Sequence, residues 1–368
     1  RQRQMCIRDR GITLVALVVT IVVLLILAGV SINLVLGNNG IIAKAKDAET
    51  KSAEASQNDL KGMNGLVSEM EGALAGNGST GNGNTGSGNN FVTKNTEVTY
   101  PGGNVWIPEG FRISKDSAST VQNGVVIEDK DGNQFVWVPV ATLADYKRTW
   151  YTGEDPFSDS DYSEALPEDE KTSVEKYKGF YIGRYEAGDK ENTEAKTLRS
   201  SNDVTKTVTI KAGQVPYNYV TRTQAVSLAE GFATKQGYKA KTKLVSSYAW
   251  DTTIAFLQKV NSDYGERSEG NYREIAFSYT DITGASQTKA GNSQVLVPTG
   301  QTTPVCNIYD MGGNVFEWTT ESYSITNFPY ARRGGSYLSS FADSPAGRRL
   351  DGFDDANANF GFRLTLFM

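Results

Sequence analysis

The stretch Tyr309, Asp310, Met311, Gly312, Gly313, Asn314, Val315, Phe316, Glu317, Trp318 is the part of the chain that says most about its fold. Glycines stand next to aromatic residues here, as in loop-rich folds where rings fill the space that helices do not. We therefore expect Tyr309, Phe316 and Trp318 to pack in the core rather than to bind a ligand.

Two further blocks of the same kind follow it in the C-terminal part of the chain. They are Arg333, Gly334, Gly335, Ser336, Tyr337 and then Gly361, Phe362, Arg363. The arginines at 333, 349 and 363 lie among apolar residues or glycines, where a guanidinium is normally held by carboxylates or backbone carbonyls. The sequence predicts a structural bracing role for them.

Together these blocks resemble the C-terminal half of the formylglycine-generating enzyme (sulfatase-modifying factor) family. The stretch Phe180–Glu186 is similar to the block that opens the family's domain. The resemblance implies an α+β, C-type-lectin-like domain rich in loops, which we place at residues 91–368 and call the head domain. Fold and chemistry separate easily, so the fold follows more directly than the function.

The chemistry is narrowed by residues that the chain lacks. It has no histidine among 368 residues and only two cysteines, Cys6 and Cys306. This excludes a Ser-His-Asp triad, a Cys-His pair and any histidine-ligated metal. Members of the family that activate sulfatases use a cysteine pair after the Arg-Gly-Gly-Ser block, and here residues 337–362 contain no cysteine. The resemblance thus implies an inherited fold without the known oxidative activities.

The resemblance also implies a calcium site. Family members bind Ca²⁺ through the positions of Asn314 and Glu317 together with nearby backbone carbonyls, here at Val315. Hard oxygen ligands of this kind suit Ca²⁺. Otherwise the sequence predicts no cofactor. With 37 Lys plus Arg against 42 Asp plus Glu, the charge balance is mildly acidic, which gives no reason to expect a nucleic-acid partner.

The N-terminal region is predicted to anchor the chain in a membrane. Residues 11–36 carry no charge, and such a run is long enough to cross about 30 Å of hydrocarbon. The residues around Gly11 and Ile12 resemble the processing site of type IV pilin-like proteins, which are cut after the glycine. Ala16 stands where those proteins usually have glutamate, which argues against a true filament subunit but leaves the anchor intact. A plain uncleaved anchor and a cleaved signal remain alternatives.

The remaining segments divide the chain further. Residues 1–10 form a leader or a non-native segment, and arginines there would keep the N-terminus inside and the head domain outside. Residues 37–75 are predicted to form an amphipathic stalk helix, either solvated or packed on other pilin-like subunits. Residues 76–90, mostly Gly, Asn, Ser and Thr, read as a flexible linker.

Within the head domain we predict strands over Gln134–Val140, interrupted by Pro139, and over Phe180–Glu186. Helices are predicted over Thr221–Phe232 and around Trp250, Ile254 and Leu257, which have helical spacing.

An anchor, stalk, linker and lectin-like domain favour a surface-displayed protein that binds an extracellular protein or glycan. An enzyme with other chemistry and a minor pilin are the alternatives. A less favoured variant is the target of a diversity-generating retroelement, because residues 336–359 lack Lys, Glu, Gln, Met and Trp.

In lectin-like folds the terminal strands are packed and the loops between them face outward. The predicted recognition surface is therefore formed by Tyr337, Leu338, Phe341, Asp351, Phe353, Asp354, Asp355, Asn357 and Asn359.

Overall fold

The computed structural model describes residues 90–150, 161–265, 270–324, 329–340, 344–351 and 353–368, with backbone alone for 348–351. These residues belong to the second of two compact units, Asn84–Met368. The predicted leader, anchor, stalk and nearly all of the linker, together with Gly11 and Ile12, lie outside the described residues. In the described ranges no helix has the length and apolar character that a membrane crossing requires.

The regular structure of the described head domain consists mainly of short strands. They are β1 Thr96–Tyr100, β2 Gly103–Ile107, β3 Arg112–Ile113, β4 Val126–Glu128, β5 Gln134–Pro139, β6 Tyr162–Ser163, β7 Gly179–Gly183, β8 Gly188–Asp189, β9 Val208–Thr209, β10 Val215–Pro216, β11 Lys241–Leu244, β12 Phe277–Thr280, β13 Ser286–Lys289, β14 Phe316–Tyr323, β15 Tyr330–Arg333, β16 Arg348–Asp351, β17 Phe360–Phe362 and β18 Leu364–Phe367. The α-helices are α1 Glu168–Tyr177, α2 Lys190–Ala195, α3 Arg222–Gln236 and α4 Ser247–Leu257, and 3₁₀ turns span Val121–Asn123 and Leu143–Asp145.

Two sheets carry most of the described domain. One is antiparallel and has the strand order β11-β18-β7-β5-β4-β3. In the other, of order β16-β15-β14-β17, β14 also pairs with β6. Strands β14 and β17 run parallel, with Phe316 opposite Phe360 and Trp318 opposite Phe362. The quoted stretch and the Gly-Phe-Arg block are therefore neighbours in one sheet.

The first sheet is buried on both faces, which explains the unbroken apolar run of β5. Phe135 and Trp137 belong to one core cluster, whereas Val136 and Val138 belong to another. Side chains alternate between the two faces of a strand, so a strand covered on both sides needs apolar residues at every position. The predicted strand over Gln134–Val140 is confirmed, and it ends at Pro139.

The predicted helices exist, with one boundary corrected. In α3 the Thr221 hydroxyl accepts from Gln224 N, and the Gln224 side chain accepts from Thr221 N, which makes a capping box. The helix continues past Phe232 to Gln236 because an interior glycine, Gly231, is tolerated and Gly237 supplies the left-handed cap at φ 76°. Helix α4 buries Trp250, Ile254 and Leu257 as predicted.

The strand predicted over Phe180–Glu186 is shorter than expected. It ends at Gly183, although the Arg184 backbone N–H still donates to Gln134 O of β5 at 3.1 Å. The residues after the strand then carry Glu186 into the interior, where it is 0 % exposed. In the sequence a buried acidic residue cannot be told from a solvent-facing one. The alternation of apolar and polar residues therefore does not show that the strand ends before Glu186.

Candidate functional site

Residues 309–318 begin as a tight left-handed turn and continue into β14. Asp310, Gly313 and Asn314 have φ values of 56°, 75° and 58°. Gly313 N donates to Gly334 O at 2.7 Å, and Asn314 N donates to Asn271 O at 3.0 Å. The backbone of the motif is thus bonded to two loops that are distant in sequence.

The side chain of Asn314 is fully buried and fully engaged. Its Oδ1 accepts from Asn271 Nδ2 at 2.9 Å and from Val297 N at 3.1 Å. Its Nδ2 donates to Val297 O at 3.0 Å and to Glu186 Oε1. In the predicted calcium site this amide oxygen would be a ligand, but here it already accepts two protein hydrogen bonds.

Glu317, the second predicted calcium ligand, is paired with Arg363. The guanidinium donates to both carboxylate oxygens, with Nε at 2.9 Å from Oε2 and Nη2 at 2.7 Å from Oε1. Arg363 also donates to Gly183 O and Tyr309 O, both at 2.8 Å. The predicted bracing role of Arg363 is confirmed, and an ion that reached Glu317 would have to compete with this guanidinium. No group of three or more His, Cys, Asp or Glu side chains that could hold a metal ion occurs in the described ranges.

Arg333, another predicted brace, is likewise held by a carboxylate. It is 0 % exposed and donates through Nη2 to Asp251 Oδ1 at 2.6 Å and to Ala346 O at 2.9 Å. The side chain of Arg349 is outside the described residues. Phe316 and Trp318 are buried as predicted, whereas Tyr309 is half-buried and packs against Tyr185 with ring centroids 5.1 Å apart.

The buried carboxyl of Glu186 lies in the same region as those of Asp310 and Glu317. Burial raises the pKa of Glu186 well above its usual range, and the charges of Asp310 and Glu317 raise it further. Its Oε2 has no hydrogen-bond partner among the described residues. We infer that the folded protein holds Glu186 in its neutral, protonated form at a pH where the unfolded chain has lost that proton.

This protonation predicts a pH dependence. A carboxyl whose pKa is raised on folding contributes stability below its unfolded pKa, about 4.3, and that stability is lost as pH rises toward the folded pKa. The free energy of unfolding of Glu186→Gln should therefore decline less than that of the wild type when urea denaturation is repeated at increasing pH. The exposed Glu230 supplies the control, since Glu230→Gln should keep the wild-type slope. Parallel slopes for Glu186→Gln and wild type would contradict the inference.

The predicted recognition residues fall into two short described segments. Tyr337 and Leu338 are half-buried, Phe353 is 69 % exposed, Asp355 and Asn357 are exposed, and Asp354 and Asn359 are intermediate. Phe341 and the side chain of Asp351 lie outside the described residues, although the Asp351 backbone, in β16, pairs with Tyr330 of β15. Asn359 Nδ2 lies 3.4 Å from Ser336 Oγ, so the two segments are adjacent.

Residues 218–223, which the sequence did not indicate as part of a site, hold the stretch 353–359 in place. Asn218 Nδ2 donates to Ala358 O at 2.5 Å, and Tyr219 N donates to Asn357 O at 2.9 Å. Thr223 N, in the first turn of α3, donates to Asp354 Oδ1 at 3.0 Å. Tyr219 has a positive φ of 52°, which is costly for a residue with a side chain. A positive φ cannot be read from residue types, so the sequence does not mark this segment as part of the site.

The buried thiol does not suggest catalysis. Cys306 is 6 % exposed, its Sγ lies 3.2 Å from Gln122 O, and burial raises its pKa to about 12. A nucleophilic cysteine needs the thiolate, which such a pKa suppresses at neutral pH. Cys306 is thus a small buried residue of the core.

The chain is similar to a known protein family and to several solved structures. Residues 82–366 match the family described as the sulfatase-modifying factor enzyme 1-like domain. Among solved structures, the crystal structure of CarF is 15 % identical, with a TM-score of 0.39, and the match covers 64 % of this chain and 98 % of that one. PvdO from Pseudomonas aeruginosa is 16 % identical, with a TM-score of 0.37 and coverage of 66 % and 98 %.

Treponema denticola variable protein 1 is 14 % identical, with a TM-score of 0.36 and coverage of 64 % of this chain and 96 % of that one. No curated protein sequence matches the chain. The family match extends over more than half of the 368 residues, and it confirms the resemblance of the glycine-aromatic blocks. Through residues 82–366, the chain belongs to the sulfatase-modifying factor enzyme 1-like domain family.

Proposed function

We propose that this protein is a membrane-anchored binding protein whose head domain, displayed on the cell surface, recognises an extracellular protein or glycan. The observation that carries the proposal is the exposed ring of Phe353 beside Asp354, Asp355 and Asn357, on a segment that is hydrogen-bonded to residues 218–223. Exposed aromatic side chains flanked by small polar and acidic groups have the composition of a recognition surface. The anchoring part of the proposal rests on the sequence of residues 11–36.

An inactive formylglycine-generating domain is part of the same proposal. Residues 337–362 contain no cysteine, and the described cysteine, Cys306, is buried with a raised pKa. The family's oxidative chemistry needs a pair of reactive thiols, so the fold is left with a binding role. Incubating the purified protein with a sulfatase-type cysteine peptide and finding formylglycine would overturn this part.

The proposal is tested by screening the purified protein against glycans and cell-surface proteins, and then by comparing variants on each ligand found. Tyr337→Ala and Phe353→Ala should each weaken binding by about 2 kcal/mol or more, because a few aromatic anchors carry most of the energy of an interface. The matched control is Val260→Ala, which removes another exposed apolar side chain, 53 % exposed, outside this surface. Variants that lose stability but bind normally when folded would place the recognition surface elsewhere.

Calcium binding through Asn314, Val315 and Glu317 stays a proposal from the family resemblance. An ion that binds the folded state alone raises stability by RT ln(1 + [L]/Kd), so calcium should raise the melting temperature relative to chelator. The rise should disappear in Glu317→Ala. Equal melting temperatures with calcium and with chelator would mean that Arg363 is the cation that Glu317 uses.

A further inference from the structure

Three backbone carbonyl oxygens of one turn converge on a single buried lysine. Nζ of Lys289, the last residue of β13, lies 2.7 Å from Tyr272 O, 3.1 Å from Arg273 O and 2.6 Å from Ile275 O. The residue is 1 % exposed. The ring of Phe277 covers a further side, with its centroid 5.8 Å from Nζ.

The hydrogen bonds of the Lys289 ammonium are accepted by backbone carbonyl oxygens and not by a carboxylate. In the part of the chain that the structure describes, Lys289 forms no salt bridge, and Glu274 is paired with Arg273 instead, at 2.8 Å. Three acceptors at one nitrogen require three N–H donors, which the charged ammonium has and the neutral amine lacks. Removal from water lowers the pKa of Lys289 and so opposes the charge, whereas the charge of Glu274 raises that pKa. The carbonyl oxygens and the aromatic face also stabilise the ammonium.

The turn that Lys289 holds supports the motif and the start of the recognition surface. Asn271 donates to Asn314 Oδ1, the Tyr272 hydroxyl donates to Gly334 O at 2.5 Å, and Arg273 N donates to Ser339 O at 3.1 Å. Each bond leaves from residues 271–273 and ends on a different part of the 314–339 region. The position of Lys289 therefore bears on loops that it does not touch.

We propose that Lys289 is a tethered cation: its ammonium occupies a cation site made of the Tyr272, Arg273 and Ile275 carbonyls and thereby positions residues 334–339. Backbone carbonyl oxygens are the groups with which proteins commonly surround a free cation. Here the chain supplies the ion on its own side chain. If the side chain is cut back, the vacated site should take a small alkylammonium ion from solution.

The test removes the side chain and returns its missing part. Lys289→Ala lacks the atoms of propylammonium, so the variant should melt about 5 °C or more below wild type. Propylammonium chloride should raise its melting temperature in a concentration-dependent way, as expected for a ligand of the folded state. It should leave wild type unchanged, and 1-propanol, which has the shape without the charge, should not rescue. Lys130→Ala, at an exposed lysine, is the control variant and should respond to neither.

Two readouts separate a tethered cation from simple packing. Hydrogen exchange at the Arg273 amide, which donates to Ser339 O, should speed up in Lys289→Ala and slow again with propylammonium. Lys289→Gln keeps polar bulk but has no charge, and it should be destabilised as well. Wild-type stability of Lys289→Gln, or a rescue by propanol equal to that by propylammonium, would overturn the proposal. If Lys289→Ala does not fold, failure of propylammonium to restore folding would overturn it too.

Discussion

Replacing Gly313 by alanine should lower the free energy of unfolding by about 3 kcal/mol or more, as measured by urea denaturation of the purified protein. Gly313 has φ 75°, and a Cβ there would lie 2.6 Å from the backbone N, C and O atoms of Asn271. Those atoms belong to a loop that pairs with Gly313 in a parallel β-bridge, so they cannot move aside without breaking the contact. The energetic cost of the left-handed backbone and the cost of the steric overlap with Asn271 therefore add.

Gly213 supplies the matched control for this substitution. It has nearly the same φ, 71°, but a Cβ built on it meets nothing within 4 Å. Gly213→Ala should therefore cost only the strain of the left-handed conformation, about 1 kcal/mol. Equal losses for the two variants would show that the close approach of Asn271 to Gly313 contributes nothing.

Replacing Arg363 by methionine should destabilise the protein by about 3–5 kcal/mol, because it leaves a buried carboxylate without its counter-charge. Arg363 and Glu317 are both 0 % exposed, and Asp310 and Glu186 are buried nearby. Glu317 can lose its uncompensated charge by binding a proton. The pKa of Glu317 is already raised by burial, and loss of the guanidinium raises it further, so the deficit should shrink as pH falls.

The control for this prediction is Lys130→Met, which removes one partner of a surface pair, Lys130 with Asp131 at 2.8 Å. Exposed pairs contribute little, so its stability should remain close to wild type. Glu317→Gln/Arg363→Met is the informative double variant. Removing both charges should cost less than removing the arginine alone. Additive losses would mean that the pair is not the unit that stabilises this part of the core.

The position of the glycine-aromatic blocks, the burial of Phe316 and Trp318, and strand β5 could all be predicted from residue types and spacing. Helix α3 could be placed as well, since Thr221 and Gln224 form its capping box within four residues. Its end at Gln236 could not, because Gly231 and Gly237 look alike in the sequence and only the chain path decides which one is a cap. These predictions succeed where the relevant preference lies within one turn of helix or a few strand residues.

The sequence by itself determined the family and the lack of any histidine side chain. Only the tertiary structure decided which charges meet. Arg363 lies 46 positions from Glu317, Glu186 lies 128 from Asn314, and the 218–223 segment lies more than 100 from the loop that it holds. Nothing local in the sequence encodes such partners. They are chosen by the packing of whole strands and loops, which removes these groups from water and leaves each with the hydrogen-bonding neighbours that the fold supplies.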